Sequence, residues 1–245
     1  MNRLLTFLVL GFLFNLTSSA QEIAQWRGPK RDGIYSETGL LKSWPAEGPK
    51  LLWHYDDLGE GHASAAVTKE RIFTAGLING IGYIIALSPD GKLLWKVPYG
   101  EDWTESWPGT RSTPLVYDGK IYFLSGFGKL VCMTADKGNK IWTLDVMKDL
   151  HGRNIKWGIT ENLLIDGNKL FCTVGGIDTN IVALDRNTGK LIWISKGNGE
   201  KSAYCSPMMI TLPNRKILVT QTENSILGID AADGKLLWRH DQPNK

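Results

Sequence analysis

The chain has 245 residues and a formal net charge of +3 at neutral pH, with 42% hydrophobic and 22% charged residues. This length is enough for one sizeable domain with a core. The charge is mild and no block of Lys or Arg stands out, which argues against nucleic acid as a partner. The 10 Trp and 27 Gly predict repeated packing of large flat rings and many turns.

Residues 1–20 are predicted to be an export signal. Arg3 supplies a positive start, residues 4–16 form a short apolar run, and Ser18 to Ala20 offer small side chains to a signal peptidase. The run is shorter than the roughly 20 residues of a membrane span, and an uncleaved anchor is the alternative. We expect cleavage after Ala20, an exported chain in the periplasm or cell envelope, and no membrane span after cleavage.

Cys132, Cys172 and Cys205 lie about one repeat apart and have no metal-ligand spacing. An odd number of cysteines in an exported chain does not make a disulfide framework. They are predicted to be small buried hydrophobes on strands.

Residues 21–50 are predicted to be an extended segment that precedes a repeat domain over 51–245. The phrase "ALDRNTGKLIW" at 183–193 returns as "ALSPDGKLLW" at 86–95, "TADKGNKIW" at 134–142 and "GIDAADGKLLW" at 228–238, with a partial copy, "GPKLLW", before it. The repeat ends each time on a tryptophan, and the five are Trp53, Trp95, Trp142, Trp193 and Trp238. Intervals of 42 to 51 residues are typical of propellers, solenoids or arrays.

Each interval contains four short β-branched or aromatic segments with turn residues between them, and no segment has helical periodicity. Four antiparallel strands in about 45 residues make one propeller blade. The sequence therefore predicts an all-β propeller with about four blades, at residues 51–97, 98–146, 147–195 and 196–240.

A glycine precedes each of the last four repeated tryptophans: Gly91, Gly138, Gly189 and Gly234. These glycines are expected to turn the chain where a positive φ is needed. Each tryptophan is expected to end the outer strand and lay its ring on the next blade, where a buried indole covers about 150–250 Å². Ligand stacking is the alternative role, but the fixed place of the ring in every repeat favours docking.

These repeats resemble, over about residues 51–240, the tryptophan-docking repeat of pyrroloquinoline quinone (PQQ)-like β-propellers, which include quinoprotein alcohol dehydrogenases and the assembly factor BamB. The segment "WRGPKRDG" at 26–33 is similar to the opening of exported bacterial members. The resemblance implies seven or eight blades, whereas this chain has about four. We therefore expect an open arc or a fragment, with Trp53 closing a fourth strand and with exposed sheet edges that favour self-association.

Propellers bind ligands at the mouth of the central channel, and aligning the units there gives three columns of residues. The columns are His62, Arg111, Thr160, Tyr204; then Ala63, Ser112, Glu161, Cys205; then Ser64, Thr113, Asn162, Ser206. Trp103, Trp107 and Trp157 fall outside the repeat pattern and could stack on a flat ligand or a peptide. The candidate binding residues are therefore His62, Arg111, Glu161, Asn162, Tyr204, Trp103, Trp107 and Trp157, with loop packing as the alternative role of each tryptophan.

Among quinoprotein dehydrogenases, PQQ stacks on a tryptophan and Ca²⁺ is held by Glu, Asn and Asp. Glu161 and Asn162 with Arg111 are similar to that set in donor chemistry. The chain lacks the adjacent cysteine pair of that family and a haem-attachment motif. No catalytic or metal-ligating residue is assigned, and PQQ and Ca²⁺ are implied by the resemblance only.

Two functions remain open. The first is a binding or scaffolding propeller of the cell envelope, BamB-like in architecture, whose partner is a protein or peptide. The second is a PQQ- and Ca²⁺-dependent alcohol dehydrogenase or a piece of one, which fold analogy alone supports.

Overall fold

The computed structural model describes residues 23–242, so the predicted export signal at 1–20 lies outside the described residues. Within that range the chain forms four antiparallel sheets and no helix, and no segment is a candidate for a helical membrane span. The prediction of an all-β protein with four four-stranded blades is confirmed. The four sheets are separate and form an open array.

The strands follow chain order within every blade. The first blade contains β2 (Ala66–Val67), β3 (Ile72–Ile78), β4 (Ile81–Leu87) and β5 (Leu93–Glu101). The second contains β6 (Leu115–Tyr117), β7 (Lys120–Leu124), β8 (Lys129–Thr134) and β9 (Lys140–Asp145), preceded by the added strand β1 (Ile23–Ala24). The third contains β10 (Leu164–Asp166), β11 (Lys169–Thr173), β12 (Ile181–Asp185) and β13 (Leu191–Ser195). The fourth contains β14 (Met208–Leu212), β15 (Arg215–Gln221), β16 (Ser225–Asp230) and β17 (Leu236–Asp241).

The core lies between successive blades. The middle strands β7 and β8 are buried on both faces because each face meets a neighbouring blade. The outer strand β9 alternates between exposed and half-buried residues. A blade alone would expose both apolar faces, so the stacking of blades supplies most of the hydrophobic stabilisation.

Hydrogen bonds between blades join the third column of aligned residues into one chain of contacts. The Ser64 backbone N–H donates to Thr113 Oγ1 at 3.1 Å. The Thr113 N–H donates to Asn162 Oδ1 at 2.6 Å, and the Asn162 N–H donates to Ser206 Oγ at 3.0 Å. Each of the first three blades therefore gives one backbone donor to the blade that follows it. We call these four residues the inner latch.

Each repeated tryptophan that has a blade after it packs on the turn of that blade. A Cβ on Gly91 would lie 2.5 Å from the Trp53 ring, and one on Gly138 would lie 3.0 Å from the Trp95 ring. The same pairing joins Gly189 to Trp142 at 2.8 Å and Gly234 to Trp193 at 2.6 Å. All four glycines have positive φ, between +69° and +83°. Only a residue without Cβ allows this approach in that conformation.

Indole N–H groups strengthen three of the four docking contacts. The Trp53 indole donates to the Pro89 carbonyl at 3.1 Å. The Trp142 indole donates to the Arg186 carbonyl at 3.0 Å, and the Trp193 indole donates to the Ala231 carbonyl at 3.3 Å. Trp193 is 8% exposed, whereas Trp238, which has no described blade beyond it, is 40% exposed.

Two details differ from the sequence predictions. Each tryptophan from Trp95 onward is the third residue of its strand rather than the last, because the outer strand continues beside its partner past the ring. The prediction that Trp53 closes a strand is wrong: residues 51–56 form no strand, and the ring docks from an extended segment.

The segment that precedes the blades reaches the inner edge of the second blade. Ile23 and Ala24 of β1 pair with Tyr117 and Val116 of β6. Farther along, the Arg31 guanidinium donates to the carbonyl oxygens of Leu163 at 2.7 Å and Asn162 at 2.8 Å. The first segment of the described chain is therefore attached to the inner strand of the second blade and to the loop that leads into the inner strand of the third.

The three cysteines are free. Cys132 on β8 and Cys172 on β11 are buried, as predicted for strand hydrophobes. Cys205 differs, because it is half-buried in the loop before β14 and its thiol donates to the Gln221 carbonyl at 3.5 Å.

Candidate functional site

Loops from successive blades line an open cavity of about 350 Å³ at one end of the inner strands. Five of the eight candidate binding residues line it: His62, Trp107, Arg111, Trp157 and Tyr204. We call it the mouth cavity. Its wall is mostly aromatic, and Arg111 and His62 are its basic side chains.

Three residues of the mouth cavity, His62, Arg111 and Tyr204, belong to the first column. Each lies at the same number of residues before the inner strand of its own blade. The inner latch lies two residues farther along each loop, and its hydrogen bonds hold these loops in position relative to one another. The His62 loop is also attached directly to the loop of Arg111, since the His62 N–H donates to the Thr110 carbonyl at 2.7 Å. Thr160, the remaining member of the column, is half-buried outside the cavity lining.

The Arg111 guanidinium is held rigidly at the wall. Its Nη2 donates to the carbonyl oxygens of Ser106 at 2.9 Å and Trp107 at 3.0 Å. Its plane lies over the Trp103 ring, with Cζ 5.4 Å from the ring centroid. Burial lowers the pKa of Arg111, and the neighbouring Asp102 carboxylate opposes that shift. The group is a fixed cation whose position a ligand does not need to organise.

Trp157 and Tyr204 form the second wall. Their ring centroids are 5.5 Å apart, and the Tyr204 hydroxyl accepts the Trp157 backbone N–H at 3.0 Å. Trp107 stands opposite on the loop between the first two blades, 69% exposed and with a φ of +48°. A bulky residue in the left-handed region stores strain, and such residues cluster at functional sites.

A buried carboxylate supports this loop from below. Asp102 is fully buried, accepts the Tyr99 hydroxyl, and accepts the backbone N–H groups of Trp103 at 2.7 Å and Gly126 at 2.6 Å. Burial raises the pKa of Asp102, while these hydrogen bonds and Arg111 lower it. Trp103 itself is 3% exposed and lies beneath Arg111 as packing, not as part of the cavity lining.

The structure does not bring Glu161 and Asn162 to the mouth cavity. Glu161 is buried, and its two carboxylate oxygens accept the Thr173 N–H at 3.0 and 3.2 Å. Burial raises its pKa to about 7. Asn162 belongs to the inner latch, with its Oδ1 on Thr113 and its Nδ2 donating to Ser206 Oγ at 3.0 Å.

These contacts decide whether the residues fit a calcium ion beside PQQ. The Glu161 oxygens accept the Thr173 N–H. The carboxylate is also attracted by the Arg31 guanidinium, which supplies the positive charge that a calcium ion would otherwise supply. The Asn162 oxygen is bound to a backbone N–H. Over residues 23–242, no group of three or more His, Cys, Asp or Glu is placed to hold a metal ion. The donor set does not fit calcium, and no reaction step is derived through the pair.

Sequence reasoning missed the supports of the cavity. Asp102 and Tyr99 lie outside the aligned columns, so the repeat pattern gave no signal for them. The one sequence signal for this support was the pair of Tyr99 and Asp102, a tyrosine and a carboxylate three residues apart at the end of an outer strand.

The fold and the ring docking define an open β-propeller of the PQQ-like, tryptophan-docking class. A family model described as "Outer membrane protein assembly factor BamB" matches residues 80–245. That match covers more than half of the chain, and the chain belongs to this family.

Individual relatives fall into two kinds. BamB of Kangiella koreensis is 29% identical over 197 residues, which cover 76% of this chain and 46% of that protein. The quinoprotein alcohol dehydrogenase PedH of Pseudomonas putida is 26% identical over 151 residues, which cover 59% of this chain and 24% of that protein. The chain therefore spans less than half the length of these curated relatives.

Solved structures show the same fold. The quinohemoprotein alcohol dehydrogenase of Comamonas testosteroni superposes with a TM-score of 0.59 at 18% identity, over 78% of this chain and 38% of that chain. BamB of Moraxella catarrhalis superposes with a TM-score of 0.51 at 19% identity, over 80% of this chain and 58% of that chain.

Proposed function

We propose that this protein is a binding module of the cell envelope that holds a protein or peptide segment at the mouth cavity. The single observation that carries the proposal is the cavity itself, whose exposed aromatic rings come from loops of different blades. Exposed tryptophan and tyrosine beside a fixed arginine is the composition of protein-binding hot spots. The predicted export signal and the BamB relatives support an envelope location.

The alternative, a PQQ- and Ca²⁺-dependent alcohol dehydrogenase, has less support. The oxygen donors that the family resemblance suggested are already engaged: Asn162 accepts a hydrogen bond from the second blade, and Glu161 accepts one from β11 of its own blade. The mouth cavity offers a cation and aromatic surfaces, which suit recognition.

Site-specific photo-crosslinking in intact cells tests the proposal. A benzophenone amino acid replaces Glu105, which is exposed on the Trp107 loop, and in a control chain it replaces Lys190, which is exposed on a turn of the third blade. We expect protein adducts from position 105 that disappear when Trp107 and Trp157 are changed to alanine, and none from position 190.

Equal adducts at both positions would contradict the proposal, as would adducts that persist in the double variant. Purified protein is also titrated with PQQ and Ca²⁺ and assayed for dye reduction with alcohols. Saturable PQQ binding with turnover would replace the binding role with the dehydrogenase role.

A further inference from the structure

A second cavity of about 280 Å³ adjoins the mouth cavity. Trp157 and Tyr204 line both cavities, so this aromatic pair is the wall between them. The far side of the wall carries Lys156 and Lys201, and its one acidic lining residue is Glu223. We call this second space the side cavity.

The two cavities together form a surface with excess positive charge. Arg111 lies on one side of the aromatic wall, and Lys156 and Lys201 lie on the other. The Lys156 ammonium is 5.1 Å from the centroid of the Trp157 ring. Among the residues that line the two cavities the one acid is Glu223, which is exposed; Asp102 is buried beneath Arg111, and Glu105 is exposed on the Trp107 loop outside the lining. Charge complementarity therefore favours an anionic occupant.

The shape of this surface favours an extended occupant over a compact one. A volume of about 350 Å³ is at the small end for a ligand site and accommodates one aromatic side chain with its neighbouring groups. The wall of two rings prevents one rigid ligand from filling both cavities. In an extended chain, side chains two residues apart on the same face are separated by about 7 Å. An extended peptide can therefore place one side chain on each side of the shared Trp157–Tyr204 wall.

We propose that the mouth cavity and the side cavity are adjacent subsites of one groove that binds an extended acidic peptide. An aromatic side chain of the peptide packs between Trp107 and Trp157. One carboxylate lies at Arg111, and a second lies at Lys156 and Lys201 on the other side of the wall. This inference rests on the proposed function and specifies the chemistry of its partner.

Fluorescence anisotropy with labelled synthetic peptides tests the inference on the full-length mature chain. The probe is a nine-residue peptide that contains two Glu-Phe-Glu units, and its partner probe has Gln in place of every Glu. We expect the acidic probe to bind at least tenfold more tightly at low salt, with the difference shrinking as salt rises. Indole-3-acetate, which is large enough for one subsite only, should compete at least 100-fold less strongly than unlabelled acidic peptide.

The variants separate charge from folding. Arg111→Gln and the exposed Lys156→Gln should each weaken binding of the acidic probe by about five- to tenfold and reduce its preference over the Gln probe. Lys190→Gln, on an exposed turn outside the groove, should change neither probe. Because Lys156 contributes to no core cluster, its variant remains informative if Arg111→Gln misfolds.

Each other outcome has a distinct meaning. Equal binding of both probes, lost in Trp107→Ala, would overturn the acidic specificity and leave the proposed function intact. Competition by indole-3-acetate as strong as that of the peptide would overturn the two-subsite groove. Failure of either probe to bind, together with photo-adducts that ignore Trp107, would overturn both proposals.

Discussion

The pairing of a turn glycine with the ring of the preceding blade gives a quantitative prediction for Gly234→Ala. Gly234 has a φ of +81°, and a Cβ there would lie 2.6 Å from the Trp193 ring. Gly119 is a matched control, because its φ is +67° and nothing lies within 4 Å of its Cβ position. Both substitutions cost about 1 kcal/mol for the left-handed backbone. Only Gly234→Ala adds overpacking against a fixed ring, about 1–3 kcal/mol more.

The measurement is urea unfolding followed by far-UV circular dichroism, with thermal midpoints as a second readout. Each additional kcal/mol should lower Tm by about 2–4 °C in a chain of this size. Adding Trp193→Phe to Gly234→Ala should relieve part of the clash, so the two changes should be non-additive. Equal destabilisation by Gly234→Ala and Gly119→Ala would refute the idea that the ring rests on the turn.

Three further predictions follow from the same geometry. Trp193→Ala should cost about 3–5 kcal/mol of unfolding free energy and Trp238→Ala much less, because only the first ring is buried against a following blade. Asn162→Ala should leave the buried Thr113 N–H without its acceptor and cost about 1–3 kcal/mol, measured together with faster amide exchange at Thr113. The pKa of Glu161 rises from 4.5 to about 7 on folding. The free energy of unfolding should therefore fall by about 3 kcal/mol in total as the pH is raised through that range. In Glu161→Gln that loss should disappear from unfolding midpoints compared at pH 5 and pH 8.

The sign for Glu161 follows from where the proton is bound. The unfolded chain loses the proton near pH 4.5, whereas the folded chain keeps it until about pH 7. The stabilisation is therefore complete below 4.5 and is lost as pH rises through 7. Glu70→Gln, at an exposed turn, is the control and should leave the pH profile unchanged. A profile for Glu161→Gln that matches the parent chain would show that Glu161 ionises freely in the folded state.

The fold could be predicted because its signals are local and recur. A glycine turn followed by an apolar strand with tryptophan appears four times, and every copy specifies the same contact with the next blade. The position of Trp within the outer strand was misjudged, because Pro98 and Gly100 disfavour a strand after Trp95, whereas the structure continues β5 through both to Glu101 with a register shift beside Gly82. Trp53 shows the opposite limit: its ring reaches Gly91 from a segment that has no strand partner.

The site could be predicted only in part, because neighbouring columns have different orientations. Counting residues placed His62, Arg111 and Tyr204 at equivalent positions, and the structure brings them to one cavity. The same count placed Glu161 one residue farther, where the side chain is buried and accepts a hydrogen bond from β11 of its own blade. In a non-strand segment no simple period tells which of three consecutive side chains faces the opening. Tertiary hydrogen bonds decide it.

The inner latch gives the array a direction and makes its units interchangeable. Every participating backbone amide reaches forward along the chain to an oxygen supplied by the following unit. Removing residues 114–162 as a block would place the Thr113 amide beside the Ser206 hydroxyl, and Ser64 would still meet Thr113. The removed unit takes away one donor and one acceptor of the inner latch, so each remaining latch residue still has a partner. The latch alone would therefore accept the duplication or loss of a whole unit, whereas β1 and Asp102 would lose their partners Val116, Tyr117 and Gly126 if the second blade were removed.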